Sequence, residues 1–271
     1  RATKPVAELA LPAPNPFIPD QLKLLDPPAQ AMRKPVKLDA PSGVGVWYQT
    51  RVDFEQPKAE LYFTLRSAIA NGSPRQAMLT ELYVKAVEEA LSTYTYPAHL
   101  AGLTYEIYRH SRGLSVRISG YSEKQAQLLQ QIVDTMQTLQ VDPRRFDLYM
   151  TNIRRSLENS LKGRPSDRVV SGVYDVLLTS SWSAQEKLAA LKTIDLAALK
   201  AHAEDLLKQP DLMLLAVGNV SEQDSLRAGE VVSQLNLGGK APVVKRSQVR
   251  KLNAGRWVLQ NTPSIQADAA I

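Results

Sequence analysis

The chain has 271 residues, 44% of them hydrophobic, with a net charge of +6 and a pI near 9.4. That is enough for one large domain with flanking segments and a sizeable core. Cysteine is absent, which excludes disulfides and thiolate metal sites, and no apolar run is long enough to cross a bilayer as a helix.

Residues 1–36 carry eight prolines. Proline fixes φ and withholds a donor, so this segment reads as a stiff, extended strap. Phe17 and Ile18 are its apolar anchors, pressing it onto a neighbouring surface. Ser42-Gly43-Val44-Gly45 is glycine-rich but lacks the Lys-Ser/Thr ending of a phosphate loop, so it reads as a turn. It leads into a strand, Val46–Val52, followed after Pro57 by a second, Ala59–Leu65. In the second, Leu61, Phe63 and Leu65 alternate with Glu60, Tyr62, Thr64 and Arg66, and the short connection predicts that the two strands pair antiparallel.

Ser73-Pro74 is a helix start, and Met78, Leu82, Ala86 and Ala90 repeat every four residues beside Leu79, Val87 and Leu91. A loop bearing Pro97 and then Gly102 is expected to end that pattern. Tyr105–His110 and Leu114–Tyr121 follow as a hairpin across Ser111-Arg112-Gly113. Ser122 with Gln125 has capping-box spacing ahead of a helix whose stripe is Leu129, Ile132, Val133, Met136 and Leu139.

Asp142-Pro143 opens the next helix, with Phe146, Tyr149, Met150, Ile153 and Leu157 on one face and Gly163 and Pro165 closing it. A helix near Asp167–Leu178 carries Val170, Val173, Tyr174 and Leu177. Ser183 with Glu186 gives a second capping box, and Asp195 opens a helix marked by Leu199, Ala203 and Leu206. Leu212–Val217 is a short apolar run of the kind found in the interior of a sheet. Ser221 caps a last helix with Leu226, Val231 and Leu235 near helical spacing. Residues 237–255 read as a linker, and Trp257–Gln260 as the first strand of a following domain. The fold class is therefore α+β, a mostly antiparallel sheet packed against several helices.

The run AHLAGLTYEIY…RGLSVRISGYSEKQ resembles the third domain of the pitrilysin and insulin-degrading enzyme family, the inverzincin zinc metallopeptidases. Further segments carry the likeness in order: LPAPNPFIP, VWYQT, PKAELYFTL, RFDLYMTNIRRSLENSLKGRP and AVGNVSEQD. The resemblance implies an inactive copy of the metallohydrolase fold shared with LuxS and mitochondrial processing peptidase. It also implies three parts: a strap at 1–36, an inactive peptidase-like domain at 37–240, and at 241–271 a linker with the first strand of a fourth domain. The opening arginine and the ending SIQADAAI suggest a piece of a longer polypeptide. Composition leaves the compartment open, with the resemblance to pitrilysin leaning toward a periplasmic over a cytoplasmic location.

An active domain of that family binds zinc through H-x-x-E-H on a helix, where two histidines one turn apart clamp the metal and the glutamate is the general base. The histidines here are His99, His110 and His202, and none is four residues from another. The corresponding helix reads LTELYVKAVEEA. No catalytic, cofactor-binding or metal residue is therefore assigned, and zinc is expected only in the parent protein's catalytic domain.

His99 reads as a loop residue, His110 as a hairpin-tip residue, and His202 as pointing away from Glu204 and Asp205. Glu88-Glu89 diverge by about 100° on a helix and read as a solvated face or domain contact. Tyr94, Tyr96, Tyr105 and Tyr108 read as packing residues, with some lining a peptide chamber as the sharper idea. Two basic clusters, Arg144 to Arg168 and Lys240 to Lys251, lack interleaved aromatics and read as solvated faces, not a nucleic-acid surface.

The expected partners are other domains of the same polypeptide and a peptide substrate, with no nucleic acid and no membrane span. Phe17, Trp47 and the tyrosines near Gly102 are the candidate contact residues. The alternative is a scaffold protein of the same fold without peptidase activity.

Overall fold

A computed structural model describes residues 13–28, 31–51, 53–239, 242–251 and 255. Its strands are β1 (Val36–Lys37), β2 (Gly45–Thr50), β3 (Lys58–Arg66), β4 (Leu103–His110), β5 (Gly113–Tyr121) and β6 (Asp211–Gly218). Its helices are α1 (Pro74–Leu100), α2 (Gln125–Gln137), α3 (Pro143–Ser160), α4 (Pro165–Leu177), α5 (Ala184–Leu191), α6 (Leu196–Lys208) and α7 (Glu222–Ser233).

The strands form one sheet in the order β1-β2-β6-β3-β5-β4, antiparallel throughout except for the parallel pair β2 and β6. The predicted β2–β3 pairing does not occur, because β6 lies between them. Its LMLLAV run is the most apolar of the strands, so a central slot flanked on both sides satisfies it better than an edge. The reading of β6 as an interior strand holds. The strand expected at Trp257–Gln260 lies outside the described residues.

One row of side chains crosses the sheet through the register Val46, Leu214, Phe63, Val116 and Ile107. All five are buried, and with neighbouring rows they form the face onto which α1, α2 and α7 pack. Residue alternation on β3 therefore reports one covered and one open face.

The helix starts follow the sequence closely. Ser73, Asp142, Asp195 and Ser221 each accept a backbone N–H from the first turn, and Ser183 with Glu186 closes a full capping box. Helix α1 departs from expectation: it runs through Pro97 to Leu100. Leu91, Thr95 and Ala98 are buried on its final turns, so packing outweighs the ring's loss of one helical bond. The Thr95 hydroxyl donates to the Leu91 carbonyl at 2.9 Å, and Gly102, at φ 80, supplies the left-handed residue that ends the helix.

Gln125 is also not the capping-box partner of Ser122. Residues 122–124 form a single tight turn, and the Gln125 amide is buried, donating to the carbonyls of Ala59 (2.7 Å) and Gly120 (3.1 Å). It ties the ends of β3 and β5 where the ladder stops.

Helix α7 buries Ser225, Ala228, Gly229 and Val232; of the expected stripe Leu235, just past the helix, is buried, while Leu226 and Val231 are only half-buried. A Cβ on Gly229 would lie 2.6 Å from Val46 Cγ2, so the small face is what lets the helix sit down on β2.

Pro165 opens α4 at its first position rather than merely closing α3. Helix α4 buries no residue: Val170, Val173 and Tyr174 are exposed. Residues 247–250 run beside its end, with Arg250 N donating to Leu177 O at 2.7 Å and Thr179 N to Gln248 O at 3.0 Å.

Phe17 does not reach out to a neighbour. It is 1% exposed and belongs to this domain's own core, while Ile18 stays exposed. Asn15 Nδ2 donates to the Pro97 carbonyl at 2.8 Å beside it.

Candidate functional site

The sheet face opposite the packed helices carries a second row in register: Trp47, Leu215, Tyr62, Arg117 and Glu106. These side chains are half-buried, apart from the exposed Glu106. Tyr108 stands in the next row opposite Ser115 and is exposed. The result is an open surface with an aromatic and aliphatic half on β2, β6 and β3, and a charged half on β3, β5 and β4.

Glu60 organises the charged half. Its carboxylate accepts from Arg117 Nε at 2.8 Å, from Ser119 Oγ at 2.5 Å and from the Tyr62 hydroxyl at 3.4 Å. Arg117 also lies 5.7 Å from the Tyr62 ring centroid and 3.9 Å from Glu106. Burial by itself would raise the Glu60 carboxyl, but the bonds from Arg117 and Ser119 hold it below the ordinary carboxylate value. Burial and then the Glu60 charge push the Tyr62 hydroxyl up, which keeps it a neutral donor. Such a surface can meet a peptide with stacking area, a fixed guanidinium and hydroxyl donors, and it has no activated nucleophile.

The acidic residues of α1 are engaged in ion pairs. Glu81 pairs with Arg109 at 3.1 Å, Glu88 with Lys85 at 2.9 Å, and Glu89 with Arg145 of α3 at 2.9 Å. The three histidines lie on three elements. His99 is exposed in the last turn of α1, not in a loop, because the helix continues past Pro97. His110, at the end of β4, is half-buried, and burial followed by the Arg112, Arg66 and Arg109 charges lowers its pKa. Those guanidiniums would oppose a cation there.

His202 of α6 is buried against α1. Thr80 donates its hydroxyl proton to the Ala70 carbonyl at 2.8 Å, so it accepts from His202 Nε2–H at 2.9 Å. Burial pushes the His202 pKa down to about 4.

The tyrosines divide. Tyr94 packs against Phe17 and Tyr105 donates to the Glu88 carbonyl at 3.4 Å, whereas Tyr96 and Tyr108 are exposed. Sequence reasoning named Trp47 and Tyr108 of the open face but missed Glu60, Tyr62, Glu106 and Arg117 as a group. The alternation within β3 and β5 carried that signal, but joining the rows needs the strand order.

A model described as the middle or third domain of peptidase_M16 matches residues 1–190. The chain belongs to the peptidase_M16 family. It is 29% identical to the human (Homo sapiens) insulin-degrading enzyme over 222 residues, covering 82% of this chain and 22% of that enzyme. Its fold is that of a segment of pitrilysin, with a TM-score of 0.79 and 22% identity over 86% of this chain and 25% of pitrilysin. A structure titled as a peptidase M16 inactive domain, from Pseudomonas fluorescens, also shares the fold. It matches with a TM-score of 0.60 and 13% identity, over 78% of this chain and 52% of that one.

The chain spans about a quarter of the length of insulin-degrading enzyme and of pitrilysin. Among the described residues no three His, Cys, Asp or Glu side chains group to hold a metal ion. No described helix is long and apolar enough to cross a membrane.

Proposed function

We propose that this M16 domain is a noncatalytic part of a larger zinc metalloendopeptidase, forming chamber wall and interdomain surface while zinc hydrolysis occurs in another domain. The observation that carries this reading is the open sheet face, where Trp47, Leu215 and Tyr62 adjoin the Glu60–Arg117–Glu106 network on a domain whose α1 carboxylates are all in ion pairs. A wall of this kind acts by confinement, holding a peptide where a metal site elsewhere can reach it. The exposed stripe Val170, Val173 and Tyr174 on α4 suits contact with another domain of the same polypeptide. The name insulin-degrading enzyme, borne by a relative, suggests a polypeptide substrate.

The test uses the full-length parent enzyme carrying Tyr62→Ala with Trp47→Ala. KM for a peptide substrate should rise several-fold while zinc content and thermal midpoint stay unchanged. An unaltered KM would remove the wall assignment. Steady, chelator-sensitive peptide cleavage by the 271-residue chain supplied with zinc would remove the noncatalytic one. A parent reading frame without H-x-x-E-H upstream would favour the scaffold alternative.

A further inference from the structure

On the helix side of the sheet, away from the open face, residues 20–25 cross a groove between α2 and α7. The domain grips them almost entirely by their main chain. The Glu123 carboxylate accepts from the backbone N–H groups of Asp20 (2.9 Å), Gln21 (3.0 Å) and Leu22 (3.1 Å), with Leu22 turned to φ 47. Asn219 takes over one residue further on, donating to the Lys23 carbonyl at 3.0 Å and accepting from Leu25 N at 2.8 Å.

Asn219 is set in place by the domain itself. Asn219 is 5% exposed, its amide also reaches Ser122 Oγ at 3.0 Å, and its own N–H donates to the Lys58 carbonyl at 2.8 Å. Such preorganisation lowers the cost of ordering a ligand.

The side chains of the held segment contribute little. Asp20 pairs with Lys124 at 2.5 Å, whereas Leu22 and Leu24 are 45% and 42% exposed. Between Leu22 and Leu25 of the strap and the domain is a cavity of about 530 Å³, floored by Leu61, Ala126, Leu129, Val220, Ala228 and Val231. That volume lies within the usual range of roughly 300–1,000 Å³ for a ligand pocket. Leu22 and Leu25 border that space and leave it unfilled.

We propose that Glu123 and Asn219 form a main-chain clamp for a peptide segment that turns at its third residue and carries an apolar side chain, filled here in cis by residues 20–25. Recognition is through N–H and carbonyl groups common to every residue, so the clamp tolerates sequence, and the apolar floor selects only for one large aliphatic or aromatic side chain. The tethered strap competes at an effective concentration on the order of millimolar, so a free peptide gains access when the strap is loosened.

The test adds a fluorescein-labelled peptide IPDQLKLLDP to the whole chain and to a Leu22→Pro/Leu25→Pro variant, which removes two of the gripped N–H groups and leaves Glu123, Asn219 and the apolar floor in place. The variant should bind at least tenfold more tightly than the unaltered chain, and adding Asn219→Ala should return binding to background. Equal binding to both, or binding indifferent to Asn219→Ala, overturns the clamp. Amide exchange on the unaltered chain gives an answer that needs no variant to fold. Excess peptide should speed exchange at Asp20, Gln21, Leu22 and Leu25, and unchanged rates at millimolar peptide overturn the proposal. None of these readouts involves catalysis, so the chamber-wall reading and the clamp fail separately.

Discussion

Phe17 and Tyr94 meet edge to face, their ring centroids 5.3 Å apart and their planes at 87°. The contact joins the proline-rich segment to the far end of α1, where Asn15 also donates to the Pro97 carbonyl. Truncating a fully buried phenylalanine costs about 3–5 kcal/mol. Phe17→Ala should therefore lower the urea midpoint of the whole domain in one transition. Loss of only a local signal near residue 17, with the domain midpoint unmoved, would mean the segment is a loosely attached strap and not part of the core.

His202 makes the fold sensitive to acid. Its folded pKa is down to about 4, against about 6.5 in the unfolded chain, so the unfolded state takes up the proton first as pH falls. Asp205 partly opposes this shift and Arg75 adds to it. The contribution is complete above pH 6.5 and is lost as pH drops toward 4, amounting to about 2 kcal/mol at pH 5. Urea unfolding at pH 7 and pH 5 measures the loss. His202→Gln keeps a donor for Thr80 and should flatten the dependence, and an equally steep fall in that variant would place the titration elsewhere.

Gly229 and Val46 should show strong coupling. Alanine gains about 1 kcal/mol over glycine inside a helix, but the new Cβ would meet Val46 Cγ2 at 2.6 Å in a closed core. Overpacking of this kind costs about 1–3 kcal/mol, so Gly229→Ala should destabilise. In a Val46→Ala background the same change should stabilise, because the obstruction is gone. Additive effects in the double-mutant cycle would contradict the close seating of α7 on β2.

Glu60 should titrate below an ordinary glutamate while Arg117 is present. A lowered folded pKa gives stability that is full above the unfolded value and lost as pH falls through the folded one. In Arg117→Met the burial and the bonds from Ser119 and Tyr62 remain and the guanidinium does not, so the carboxyl should move upward. Side-chain carboxyl NMR reads this directly. A Glu60 titration unmoved by the substitution would show that Arg117 does not set the charge pattern of the open face.

Local chemistry was legible wherever it closes within a few residues. Ser73-Pro74, Asp142-Pro143, Ser183 with Glu186, Asp195 and Ser221 all start helices, because a cap needs only the next turn as partner. The candidate site was less legible. Trp47 and Tyr108 could be named, but their grouping with Tyr62, Glu60 and Arg117 depends on which strands lie side by side.

The family resemblance, the α+β class and the lack of a histidine pair at helical spacing were all determined by the sequence itself, through periodicity, caps and residue types in order. Tertiary structure alone decided that β6 enters between β2 and β3, and that α1 continues through Pro97. It likewise decided that Gln125 stitches strand ends instead of capping a helix, and that α7 buries its small face. Each depends on a partner far away in the chain: an apolar strand seeks neighbours on both edges, and packing of a long helix offsets the bond that a proline removes. No local pattern of residues contains that information.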